Sequence, residues 1–64
     1  MTTLRDLRIR ANATQEQVAR TCNVSQGAVS RWEKGENPPL RKYHPYLRRA
    51  LRCTKDELQE ALRS

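Results

Sequence analysis

Apolar residues recur along this chain in short clusters three and four positions apart, each bounded by residues that start or stop a helix. Leu4, Leu7, Arg8 and Ala11 share one face, which predicts a first helix over residues 4–11. Thr3 is placed to cap it, and Asp6 lies in the first turn, where the helix dipole favours an acid. Ile9 falls on the other face and is expected to stay partly wet. Val18, Ala19 and Cys22 form a second stripe, preceded by Thr14 with Gln17 three places on, the pattern of a capping box. A third stripe, Val29 and Trp32, follows Ser25, another residue suited to an N-cap. These mark helices over residues 15–22 and 26–34, the latter stopped by Gly35.

Between the second and third stripes stands Asn23, which after glycine best tolerates the left-handed backbone of a sharp turn. Two stripes joined by so short a turn can pack only with their helices crossing steeply, a helix-turn-helix arrangement. Residues 36–44 read as a loop, because Pro38 and Pro39 cannot both sit inside a helix. Pro45 fits the first position of a fourth helix, whose apolar face is Leu47, Ala50 and Leu51. Thr54 and Glu57 form a further capping box and open a fifth, with Leu58, Ala61 and Leu62 on one side. No segment alternates like a strand, and there is no repeat or low-complexity tract. The expected fold is all-α: five short helices around one small core, a single domain over residues 1–64.

Charge adds a partner class. Lys and Arg number 13 against 7 Asp and Glu, a formal net charge of +6. The excess is uneven: residues 1–53 hold 11 bases and 4 acids, whereas 54–64 hold 2 bases and 3 acids. Arg41, Lys42, Arg48, Arg49 and Arg52 follow one another with no acid between. Such a field favours polyanions, nucleic acid before anionic membrane. No apolar run approaches the roughly 20 residues of a membrane span, and the N-terminus has no signal-peptide core. A cytoplasmic protein with reduced thiols is expected. Cys22 and Cys53, 31 positions apart with no second His or Cys cluster, are expected to be small buried hydrophobes and not metal ligands. No acid–base pair, nucleophile constellation or metal set marks an enzyme, and no cofactor or small-molecule ligand is implied.

Taken together, Leu4-x-x-Leu7-Arg8, Thr14-Gln15-x-x-Val18-Ala19, Asn23-Val24-Ser25, the run Val29 to Gly35, and Ala50-Leu51-x-Cys53-Thr54-x-Asp56-Glu57-Leu58 resemble the Xre-like family of lambdoid phage repressors and Cro proteins. The resemblance covers nearly the whole chain. It implies a five-helix, lambda-repressor-like domain that binds operator DNA and regulates transcription, usually as a symmetric dimer. Three departures stand out: Asn23 replaces the usual turn glycine, Ala13 stands where a larger apolar residue is common, and Pro45 implies a late start to the fourth helix after a long loop.

A helix in the major groove reads bases with its first two turns. Opposite the Val29/Trp32 stripe, Gln26, Gly27, Ser30 and Arg31 face outward, and the resemblance places base contacts at Gln26, Gly27 and Arg31. Gln26 suits adenine and Arg31 guanine; Gly27 would let the backbone approach closely. Gln15 starts the second helix, where N–H groups and the dipole can accept a phosphate, and the resemblance implies that it clamps the DNA backbone. Lys34, Arg41 and Lys42 are candidates for phosphates or a narrow minor groove, Arg41 and Lys42 equally so. The resemblance also implies an ion pair between Arg8 and Glu33, with Arg8 a further phosphate candidate. Arg48, Arg49 and Arg52 read as solvent-facing charge, Trp32 as a core anchor, Tyr43 as apolar cover under the loop, Tyr46 as exposed, and His44 as a cap or surface residue.

One recognition helix covers about half a turn of duplex, so useful specificity calls for two half-sites roughly 34 Å apart and a homodimer, weak and completed on DNA. The competing expectation is an antitoxin-type module that masks a protein partner and regulates its own synthesis.

Overall fold

Side chains fix four of the helix starts. Thr3 accepts from the Asp6 N–H at 3.1 Å while the Asp6 carboxylate accepts from the Thr3 N–H at 3.0 Å. Thr14 and Gln17 make the same reciprocal pair, as do Thr54 and Glu57. The Ser25 hydroxyl accepts from the Ala28 N–H at 3.2 Å. Each bond satisfies a backbone donor that the first helical turn leaves open. The computed structural model describes residues 2–63, which form α1 (Leu4–Arg10), α2 (Gln15–Cys22), α3 (Gln26–Lys34), α4 (His44–Leu51) and α5 (Lys55–Arg63). No strand occurs among the described residues.

The helix ends are equally uniform. Asn12, Asn23, Gly35 and Arg52 all hold left-handed backbone, with φ of 57°, 58°, 77° and 50°. After each, the next residue donates its N–H to a carbonyl of the helix just finished: Ala13 to Arg8, Val24 to Ala19, Glu36 to Arg31 and Cys53 to Arg48. This is the Schellman closure, which satisfies the carbonyls of the last turn. Glycine and asparagine adopt it at little cost; Arg52 does so against its own Cβ.

The core is built from Leu4, Leu7, Val18, Ala19, Cys22, Val29, Leu47, Leu51, Leu58 and Ala61. α2 packs against both α3 and α4, and α4 also meets α1 and α5, which pack on each other. The result measures 25 × 23 × 20 Å.

Three expectations need correction. α1 ends at Arg10, with Ala11 as its cap. Residues 41–43 are not loop but one tight 3-10 turn, Arg41–Tyr43, that runs directly into α4. α4 therefore starts at His44, and Pro45 occupies its second position, where the missing N–H still costs nothing. Trp32 packs against the core from its margin, half-buried with its ring centroid 5.6 Å from that of Tyr43. That aromatic contact pins the tight turn to α3, so Tyr43 does cover the core beneath the connection. Pro39 is buried, and the half-buried His44 ring nitrogen Nε2 lies 3.4 Å from the Pro39 carbonyl. Ile9 and Tyr46 are exposed, as expected.

Candidate nucleic-acid interface

α3 has one buried side and one open side. Val29 is 1% exposed, whereas Gln26, Gly27 and Arg31 are all exposed on the helix surface. Ser30 is half-covered and stands in a shallow concavity with Arg5, Arg8, Gln15, Glu33 and Lys34. The first turn of α3 carries no acid. Its opening residue, Gln26, therefore lies beside N–H groups and the positive end of the dipole with no negative charge in that turn.

The orientation of α3 is set from α1. Arg8 Nε donates to Glu33 Oε2 at 2.6 Å, Nη2 donates to Oε1 at 3.4 Å, and Nη1 donates to the Ala13 carbonyl at 3.0 Å. The pair is largely covered, with side-chain exposures of 16% and 7%. Arg8 thus joins three elements: its own helix, the α1–α2 connection and the end of α3.

Glu33 has a second donor. Gln15 Nε2 reaches Oε1 at 3.1 Å, and Gln15 Oε1 in turn accepts from Gln26 Nε2 at 3.4 Å. Gln15 and Gln26, assigned separately to phosphate and base, are therefore neighbours in one hydrogen-bonded chain. Gln15 also stands in the first turn of α2, beside open backbone donors.

Lys34, at the end of α3, and the basic residues beyond it do not gather in one place. Lys34 stands with Gln15 and Ser30 near the start of α2. Lys42 lies at the other end of α2, lining a hollow with Thr21, Asn23, Tyr43 and Tyr46, its Nζ 5.2 Å from the Tyr43 ring centroid. Arg41 is exposed on the same tight turn. Two hollows, each with a lysine in its lining, thus lie toward opposite ends of α2. Arg5 belongs to the first and was missed; its spacing of three from Arg8 on a helix was the signal that places it on that side.

Burial pushes the Cys22 and Cys53 thiols up, away from reactive thiolate. No group of three His, Cys, Asp or Glu among the described residues could hold a metal ion, and no described helix is long and apolar enough to cross a membrane.

Two helices packed together, a tight left-handed turn at Asn23 between them and an acid-free leading end on the second helix define a helix-turn-helix module. The family model of the helix-turn-helix domain matches residues 2–62, and the chain belongs to that family of DNA-binding modules. No curated protein and no solved structure matches it.

Proposed function

We propose that the chain is a sequence-specific regulator of transcription of the repressor or Cro type, acting in the cytoplasm on double-stranded DNA. The observation that carries this reading is α3 itself: Gln26, Gly27 and Arg31 lie exposed along a helix whose opposite side is anchored by Val29. Seated in the major groove, Gln26 pairs with adenine N6 and N7, and Arg31 with guanine O6 and N7. Gly27 brings the helix backbone close to the base edges, and Ser30 reaches the groove wall.

Phosphates are held by Gln15 at the start of α2 and by Lys34 across the same concavity, with Arg5 and the edge of Arg8 adding charge. Arg41 and Lys42 meet the backbone or an adjacent minor groove at the far end of α2. Two copies bind a palindromic operator, their weak association completed on the duplex. The resemblance to phage repressors supports this finer reading.

Selection of bound sequences from random duplex DNA tests it. The expected product is a two-fold symmetric motif whose half-sites are centred roughly 10 base pairs apart. Recovery of no enriched sequence overturns the assignment.

A further inference from the structure

We propose that Glu33, acting through Gln15, fixes the polarity of the Gln26 amide and so makes that side chain select adenine over guanine. The inference rests on the reading of α3 as the base-contacting helix and adds what sets its preference. It begins with chemistry that admits one arrangement. The Glu33 carboxylate, paired with the Arg8 guanidinium, offers acceptors only. Gln15 must therefore present its amino group to Glu33, which turns its carbonyl oxygen outward. Gln26, next in the chain, must donate in its turn, at 3.4 Å.

Gln26 is left with one N–H and its carbonyl oxygen to offer. Adenine presents a matching acceptor, N7, beside a matching donor, N6–H. Guanine presents two acceptors, N7 and O6. An amino group with both hydrogens available could serve both; one already holding Gln15 cannot. The carbonyl oxygen of Gln26 would then face guanine O6 with no proton between them. Glu33 makes no base contact in this scheme. It is a positioning residue whose acceptor-only character passes through two amides.

Reversal of the chain follows from the same logic. In Glu33→Gln, Arg8 can still donate to the remaining carbonyl oxygen, which leaves an amino group facing Gln15. Gln15 then turns its own amino group toward Gln26, and Gln26 accepts with its carbonyl, freeing both hydrogens for guanine.

Competition binding with duplexes that differ only at one base pair tests the proposal, the pair being the one at which Gln26→Ala flattens the preference. Wild type is expected to favour adenine over guanine there by about tenfold or more. Gln15→Met, which leaves the Arg8–Glu33 pair intact, should bring that ratio to within about threefold, and Glu33→Gln should level or invert it. Loss of a phosphate contact or of fold stability weakens all duplexes together and leaves the ratio unmoved. If Glu33→Gln does not fold, Gln15→Met alone decides. Full adenine preference in Gln15→Met, alongside its loss in Gln26→Ala, overturns the relay and leaves the reading of α3 standing. If Gln26→Ala alters preference at no base pair, both fall.

Discussion

Two arginines on α1, two residues apart, each reach across to a glutamate on another helix, with opposite consequences. Arg8 binds Glu33 of α3 with little of either side chain in water. Arg10 binds Glu57 of α5 at 2.7 Å, but with 51% and 38% of the side chains exposed. The first pair also holds the Ala13 carbonyl and Gln15, so it ties α1, α2 and the end of α3 together; the second joins α1 to α5 alone. Distance alone does not separate them. What does is the loss of water, which raises the cost of leaving a partner alone.

The largest test of that contrast is Arg8→Ala. It strands Glu33 and should cost about 3 kcal/mol, lowering the thermal midpoint by roughly 10 °C or more. DNA affinity should fall with it, and an unchanged midpoint would remove the ion pair from any structural role. Gln26→Ala and Arg31→Ala come next. Each should lose about 1–3 kcal/mol of binding on the preferred site and relax one base position, with the thermal midpoint unmoved. If either weakens all sequences equally, its base assignment fails.

Arg52→Gly provides a scale from backbone alone. It should gain about 1 kcal/mol in denaturant unfolding by relieving left-handed strain at the end of α4.

The smallest effect is expected at Glu57. Hydrogen bonds from Arg10 and from the Thr54 N–H depress its pKa from 4.5 to about 2. A depressed carboxylate stabilises the fold above its unfolded pKa and loses that contribution as pH falls toward the folded value. The midpoint difference between wild type and Glu57→Gln should therefore be present above pH 4.5 and fade as pH falls to about 2. Added salt should shrink that difference while leaving the Arg8→Ala deficit nearly intact. Equal salt sensitivity of the two pairs would erase the distinction between them.

Much of the fold was legible because its punctuation is local. Thr3, Thr14, Ser25 and Thr54 cap helices as their spacing implied, and Asn23 takes the left-handed turn. The unreadable parts depend on contacts distant in sequence. The tight turn at Arg41–Tyr43 is held by Tyr43 against Trp32, which no local pattern announces. Arg52 lacks the usual signature of a left-handed stop, so the backbone at that corner was invisible beforehand. In the candidate site, helical periodicity put Gln26, Gly27, Ser30 and Arg31 outward; three are exposed, whereas Ser30 is half-covered because it turns toward the concavity shared with Gln15 and Arg8. The bond from Gln15 to Glu33 did not follow from periodicity, because it spans 18 residues and depends on how α1 sets the end of α3.

The repeated left-handed closure at four helix ends bears on how quickly the molecule forms. Each reversal of direction is decided within a few neighbouring residues, so little of the topology waits on a search for remote partners. Chains organised in this way fold in microseconds to milliseconds. After unfolding, a stopped-flow trace should find most of the amplitude gone within the dead time.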